Sequence, residues 1–450
     1  MKQALLAAAA ALISLCAAPS LAQTPAPVAA FEGPITGPGP MFPGLRPLDP
    51  GTAPQDYGYL TEEYFVSGTA NGQPYTTRIL VRRPDNARRF SGIVTTESMH
   101  SNGFAVTFEP SRHSLLVRGH VHVEIAAQQG NVNGTLKGFN AERYARLSIP
   151  SGQQTSQIIG QVGALLRANL NDGPLGPLKL RHLIMMGTSQ SSGVLRTYQT
   201  QQHFQARLAG GGPIMEGYLA VSTLGNAPMM VVDVPTIQMP TMTEVNTAAA
   251  AVGGIQFRRP DSDAPGNRFR IYESAGMPHA NARDSIAYEP NFCALPVSDF
   301  PWGPTVAMGL AHLVAWVDHG RVPPHAPYLQ FDNNTANDGS RLELDEHGNV
   351  KGGVRNTYVD VPAAQYGVPN TALEPSGAFL CSIAGTRIPY AEESLLSLYK
   401  NQADYVSRVT TRLLELVAEG WVLPESAADV LTDALKTDIP SRPRAPAPRR

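Results

Sequence analysis

The stretch His182-Leu-Ile-Met-Met-Gly187-Thr188-Ser189-Gln190-Ser191-Ser192-Gly193 decides the fold. Residues 182–186 read as a buried strand, a Gly/Ser turn follows, and residues 192–208 carry a helical pattern. An apolar strand that turns through Gly-x-Ser-x-small into a helix is the setting of a nucleophile elbow. The sharp turn strains its central residue, so the positions two before and two after it must carry small side chains. Gly187 and Ser191 meet that demand around Ser189. The helix N-terminus beyond the turn presents the positive end of its dipole, which suits a developing oxyanion. Ser189 is favoured as nucleophile because it lies two residues past the glycine that ends the apolar run. Ser191 is a rival, since Ser189-Gln190-Ser191-Ser192-Gly193 satisfies a small-x-Ser-x-small pattern of its own.

A serine nucleophile needs a base, and the base needs an orienting carboxylate. Downstream, residues 235–243 alternate imperfectly as a strand and run into Glu244. A strand-end carboxylate projects into the loops at the carboxyl edge of a sheet, where sites on α/β sheets gather. Arg268-Phe-Arg-Ile-Tyr272 reads as another strand, leading through Glu273-Ser-Ala-Gly276-Met-Pro278 to His279. A histidine in a Gly/Pro loop after a strand is placed to swing over the serine. The candidate set is therefore Ser189, Glu244 and His279. Asp261 and Asp263 are rival acids, and His312, His319 and His325 fit the chain order less well. The expected oxyanion donors are the backbone N–H of Gln190 and one from the loop Glu97-Ser98-Met99-His100-Ser101-Asn102-Gly103, at Ser98 or Met99. Glu97 and His100 are candidates to line the substrate pocket, with a structural role for Glu97 equally open.

Outward from this core, residues 59–67 and 75–82 are rich in β-branched and aromatic residues around Ala70-Asn71-Gly72 and predict an antiparallel pair. Further strands are predicted at 92–96, 121–126 and 213–221, and helices at 114–118, 155–170 and 306–317. Alternating strands and helices imply an α/β fold with a mainly parallel central sheet covered on both faces. The C-terminal third differs, with a hairpin tip at 341–350 and helical patterns at 392–419 and 424–437. The expected organisation is a signal peptide at 1–22, a Pro/Gly-rich arm at 23–56, a core at 57–325, a C-terminal helical and hairpin extension at 326–438, and a disordered tail at 439–450.

Composition narrows the class. The 450 residues are 42% hydrophobic and only 16% charged, with a net charge of −2. That balance argues against a nucleic-acid binder working through a global basic field. Gly and Pro make up roughly 18% of the chain, short of the ~25–30% that marks low complexity. Lys2, the apolar run from Ala4 to Ala18, and Ser20-Leu21-Ala22 form a secretory signal with cleavage expected after Ala22. The expected location is periplasmic or secreted, with no membrane span in the mature form. Cys16 leaves with the signal, and Cys293 and Cys381 remain as a candidate disulfide.

No metal site is expected. His120-Val121-His122 puts two imidazoles on one strand face, but no third ligand has recognisable spacing. The segment 334–345 has Ala336 where a calcium loop requires an oxygen ligand. Neither a dinucleotide-binding glycine pattern nor a phosphate-binding loop is present.

The chain resembles the α/β-hydrolase superfamily, and within it a group of exported bacterial α/β-hydrolase-domain proteins. The resemblance spans about residues 57–435. It is carried by Val94-Thr-Thr-Glu97, Arg143-Tyr144 with Leu147, Gly187-Thr-Ser-Gln-Ser191, Thr243-Glu244, Tyr272-Glu-Ser-Ala-Gly276 through His279, and Gly348-Asn-Val-Lys-Gly-Gly-Val-Arg355. Ser191 stands where relatives usually read Gly. The resemblance implies Ser189, Glu244 and His279 as a triad, in the chain order of that superfamily. The expected function is a serine carboxylesterase acting on a small-molecule ester without a cofactor. An amidase or peptidase using the same triad, and a non-catalytic binding protein on the same fold, are the alternatives. Candidate pocket walls are the segment after His100, residues 222–234 with Met229 and Met230, and the 284–303 loop with Phe292, Phe300 and Trp302.

Overall fold

Nine strands, β1 (Ala30–Glu32), β2 (Tyr59–Ala70), β3 (Gln73–Pro84), β4 (Ile93–Ser98), β5 (Val121–Ile125), β6 (His182–Thr188), β7 (Gly217–Val221), β8 (Thr236–Met239) and β9 (Phe269–Ile271), form one sheet in a computed structural model of the chain. The structure describes residues 24–283, 292–332 and 340–441. The predicted signal peptide and residues 442–450 of the predicted tail lie outside them. The strand order is β9-β8-β7-β6-β4-β5-β3-β2-β1. Strands β4 to β9 are mutually parallel, and β1 to β3 join antiparallel at one edge. This is the α/β-hydrolase fold, with the N-terminal antiparallel strands expected from sequence.

The β2–β3 hairpin is longer than its sequence pattern suggested, with twelve residues in each strand. Asn71 and Gly72 make its turn with φ of 48° and 72°. Two consecutive positive φ values match the right-handed twist of the flanking strands, and Asn-Gly adopts them at least cost. The described part of the arm, residues 24–56, is laid against the body of the protein. Ala30–Glu32 pairs with β2, and Thr24–Pro25 pairs in parallel with Ala206–Arg207.

Every residue of β4, β5, β7, β8 and β9 is buried, as parallel strands covered on both faces require. Helices α1 (Phe108–Val117), α2 (Thr155–Arg167), α3 (Gln190–Gln201), α4 (Met242–Ala250) and α5 (Gly303–His319) accompany them. Tyr218 packs towards α3 through Tyr198, whereas its strand neighbours Gly217 and Leu219 meet Leu313, Val317 and Gly309 of α5. Alternation along β7 thus puts α3 and α5 on opposite faces of the sheet.

Several element boundaries differ from the sequence reading, and α1 starts at Phe108 rather than 114. The pattern at 192–208 is two elements, because α3 begins at Gln190, directly behind Ser189, and ends at Gln201. Just beyond it, His203 is held by Tyr218 and Asp233 at 2.7 and 2.6 Å. The pattern at 235–243 also splits, into β8 and the start of α4. Pro240 interrupts the ladder, and Thr241 caps the helix. The run 392–419 is two helices, Glu392–Leu398 and α6 (Gln402–Glu419), separated where the Asn401 side chain accepts the Asp404 N–H at 3.0 Å.

Helix α7 (Ala427–Lys436) packs on α6 around Tyr405, Val409, Leu413, Val430 and Ala434, a second small apolar cluster. Cys293 and Cys381 are disulfide-bonded across 88 residues of chain. No helix among the described residues is long and apolar enough to cross a membrane.

Candidate functional site

Four loops converge at the carboxyl edge of the sheet, after β6, β7, β8 and β9. The first carries Ser189, which takes φ 55° and ψ −120° between β6 and α3. A non-glycine residue in that region costs about 1–3 kcal/mol and persists only where its surroundings hold it. Here the Ser189 N–H donates to Val221 O and its carbonyl accepts from the Gly193 N–H, both at 3.1 Å. A Cβ on Gly187 would lie 2.6 Å from the Ser191 carbonyl oxygen and 2.8 Å from the Ser192 nitrogen. Glycine is therefore required at 187, as the sequence pattern implied. Although Ser189 occupies the N-cap of α3, its hydroxyl makes no cap bond and is left for another partner.

That partner is His279. The Ser189 Oγ lies 2.8 Å from His279 Nε2, and His279 Nδ1 lies 2.5 Å from Glu244 Oε1. Ser189 is half-buried, whereas His279 and Glu244 are buried. The backbone N–H of His279 donates to Thr243 Oγ1 at 3.0 Å, which ties the histidine loop to the helix bearing the acid. The structure thus brings Ser189, His279 and Glu244 into one hydrogen-bonded line.

Glu244 is not at a strand end, as the sequence suggested, but in the first turn of α4. Its Oε2 accepts both the backbone N–H and the hydroxyl of Thr241 at 2.7 Å, as one half of a capping box. The signature Thr241-x-x-Glu244 was available in the sequence. Burial alone would raise the Glu244 carboxyl. The His279 charge and the bonds from His279 and Thr241 outweigh it and hold the group below the usual glutamate value.

The rivals are placed elsewhere. Ser191 is fully buried, and its hydroxyl donates to Thr188 O at 2.8 Å while accepting the Thr188 N–H at 2.9 Å. Those two bonds brace the strained turn from inside, which accounts for a serine at the small position. Asp261 binds the Ile271 N–H and His325 at 3.0 and 2.7 Å, and Asp263 binds Arg270 at 2.6 Å. Neither reaches His279. Sequence reasoning missed Ser222, whose hydroxyl lies 2.8 Å from His279 Nδ1. Nothing in its local sequence marks it, because the contact depends on the β7–β8 register.

The loop after β4 separates alternatives that the sequence left open. The Met99 N–H is committed to Ile125 O at 2.8 Å, as a continuation of the β4–β5 ladder, so it is not free to meet an oxyanion. Glu97 is fully buried and does not line an open pocket. Ser98 is buried at the end of β4, and its hydroxyl has no hydrogen-bond partner among the described residues. The Gln190 N–H, at the first position of α3, has no intrahelical acceptor. The Gln190 side-chain oxygen accepts from Ser101 N–H and Gln128 Nε2, each at 3.2 Å, and its Nε2 donates to Gln128 Oε1 at 2.6 Å. Gln128, also missed from sequence, further donates to Met99 O at 2.9 Å and so joins the two candidate oxyanion segments.

His100 stands half-buried beside this loop, its Nδ1 accepting the Asn102 N–H at 3.1 Å. Burial, aided by the charge on His279, outweighs the Asn102 side chain and holds the imidazole below the ordinary histidine value. Met229, Phe300 and Trp302 are buried packing residues, whereas Met230 is half-buried. Residues 284–291 of the proposed pocket wall lie outside the described residues. Cavities of about 410 and 480 Å³ lie away from the site, beside Tyr366 and Arg387 and beside Tyr57 and Arg112. Among the described residues no three His, Cys, Asp or Glu side chains converge as a metal site would need.

Residues 23–432 match the family model described as an alpha/beta hydrolase domain. No curated protein sequence matches the chain. Among solved structures, similar chains include a fungal esterase from Rhizomucor miehei, at 9% identity and a TM-score of 0.28 over 48% of this chain and 74% of that one. The esterase Est22 is similar at 10% identity and a TM-score of 0.31, over 48% and 72%. A cold-adapted esterase from an Arctic intertidal metagenomic library follows at 12% identity and a TM-score of 0.26, over 47% and 84%. With the family model covering the sheet, the serine turn and the histidine loop alike, the chain belongs to the alpha/beta hydrolase domain family.

Proposed function

We propose that this protein is an exported serine hydrolase, a carboxylesterase that cleaves a small-molecule ester through Ser189, His279 and Glu244. The observation that carries the reading is the continuous line from Ser189 Oγ to His279 Nε2 at 2.8 Å and from His279 Nδ1 to Glu244 Oε1 at 2.5 Å. His279 takes the Ser189 proton as the oxygen attacks the ester carbonyl. Glu244 holds the ring in the required tautomer and stabilises the imidazolium that forms. The Gln190 N–H, at the positive end of α3, donates to the tetrahedral oxyanion, with the second donor from the segment at Ser98. His279 then returns the proton to the leaving alcohol, and a water activated by the same imidazole releases the acid. These steps draw on no cofactor.

Export is supported by the signal pattern at 1–22 and by a disulfide, which persists in oxidising compartments. A fluorophosphonate probe and p-nitrophenyl butyrate test the reading together. Labelling at Ser189 with ester turnover is expected. Absence of both in folded protein overturns it in favour of a binding role. Matched ester and amide substrates separate carboxylesterase from amidase.

A further inference from the structure

Glu97 has no part in the steps above, yet it joins the parts that carry them out. It is fully buried near the end of β4, one residue before Ser98. Its Oε2 accepts the N–H groups of Thr107 and Phe108, both at 3.2 Å, and so closes the start of α1. Its Oε1 has no hydrogen-bond partner among the described residues. The Thr107 Oγ1 also lies 3.0 Å from Oγ1 of Thr188, the residue before Ser189. A short path therefore runs from Glu97 through Thr107 and Thr188 to the strained serine turn.

We propose that Glu97 is a positioning residue that sets the Ser189 turn through Thr107 and Thr188, and that it does so in its neutral form. The inference rests on the serine-hydrolase reading. A neutral carboxyl keeps a carbonyl oxygen for the two N–H groups and adds no charge beneath the oxyanion segment. An ionised one places a negative charge there, opposing the developing oxyanion and drawing the Thr107 end of α1 towards itself.

The charged groups facing Glu97 are Glu124, its register partner on β5, and Arg82 on β3. Arg82 is in turn faced by Glu109 of α1, Arg78 of β3 and His122 of β5. The serine turn contributes only the Thr188 hydroxyl. Burial pushes the Glu97 carboxyl up, against the bonds from Thr107 and Phe108 and the Arg82 charge, and Glu124 adds to the rise, to about 8.

The test measures kcat and KM for p-nitrophenyl butyrate on the full chain from about pH 6 to about pH 10, for wild type, Glu97→Gln, Thr107→Val and Thr107→Ser. Fluorophosphonate labelling of Ser189 runs alongside. In wild type, kcat is expected to fall about tenfold within roughly one unit above the ionisation. Glu97→Gln, which cannot ionise, is expected to lose that alkaline fall while keeping the acidic limb. Thr107→Val is expected to lower kcat about tenfold with KM little moved, and Thr107→Ser to restore it. An alkaline fall in Glu97→Gln equal to wild type overturns the proposal, as does a wild-type kcat in Thr107→Val. If Glu97→Gln fails to fold, the Thr107 pair decides. Absence of labelling and turnover in wild type is a different outcome, which overturns the serine-hydrolase reading itself.

Discussion

The Ser222 hydroxyl lies 2.8 Å from His279 Nδ1, the nitrogen that Glu244 Oε1 also holds at 2.5 Å. Ser222 follows β7 with a positive φ of 50°, and its N–H is fixed to Met239 O at 2.9 Å. Its Oγ lies 3.4 Å from Glu244 Oε1, so it accepts from Nδ1–H while donating towards the carboxylate. The ring is thereby held from two sides. Ser222→Ala is expected to lower kcat by about tenfold with KM little changed, whereas Glu244→Gln is expected to lower it by about 10⁴-fold, because the ring loses its tautomer as well as its orientation. Steady-state kinetics on both variants check this. A wild-type kcat in Ser222→Ala would leave Glu244 as the sole orienting group.

The two serines of the turn make opposite predictions. Ser189→Ala is expected to cut ester turnover by about 10⁴-fold or more with the fold retained. Ser191→Ala keeps the attacking oxygen but loses both bonds to the Thr188 backbone, and is expected to cost about 1–3 kcal/mol of stability. Turnover assays with urea unfolding of both variants separate the roles. Full activity in Ser189→Ala would refute the proposed nucleophile.

Gly187→Ala should be among the most damaging single-atom additions in the chain. The new Cβ meets backbone atoms of Ser191 and Ser192 at 2.6 to 2.8 Å, and backbone cannot swing aside as a side chain can. A loss of at least about 1–3 kcal/mol is expected, with a larger fall in activity. Thermal unfolding and kcat on purified protein measure it, and a variant as stable as wild type would contradict the close approach.

The disulfide reaches the histidine loop through one strap. Cys381 lies in the helix Ala378–Ala384, and the Ile383 carbonyl of that helix accepts the Ala280 N–H at 2.9 Å, next to His279. A Cβ on Gly385, the following residue, would lie 2.6 Å from Pro278 Cβ. Reduction is expected to cost about 4 kcal/mol on chain-entropy grounds and to lower kcat as the strap loosens. Chemical unfolding and kinetics with and without a reductant check both. An unchanged kcat in folded reduced protein would uncouple the bond from the site.

Stability should fall as pH rises through the window of Glu97. Its carboxyl ionises near the ordinary value of 4.5 in the unfolded chain and near 8 when folded. Between those values the native state binds more protons, so its stability declines with rising pH. Glu97→Gln is expected to flatten that decline, as read from unfolding midpoints between about pH 5 and about pH 9. An unaltered slope would place the ionisation elsewhere.

Much of the site was legible because its signals are local. Gly187 and Ser189 declare a strained turn between an apolar strand and a helix, and the order of Ser189, Glu244 and His279 along the chain follows from strands read by their hydrophobic runs. The boundaries around Glu244 were less legible, because an alternating pattern at 235–243 outweighed the capping signature that ends the strand at Met239. The sequence by itself determined the α/β class, the turn and the candidate triad, since these depend on spacing and on small side chains. Only the tertiary structure put Ser189 rather than Ser191, and Glu244 rather than Asp261, in hydrogen-bond reach of His279, and committed the Met99 N–H to Ile125. It alone brought in Ser222 and Gln128, and it showed Glu97 buried rather than lining a pocket. Each of those outcomes depends on which neighbouring strand offers a hydrogen-bond partner, and that is a property of register and burial between segments far apart in the chain.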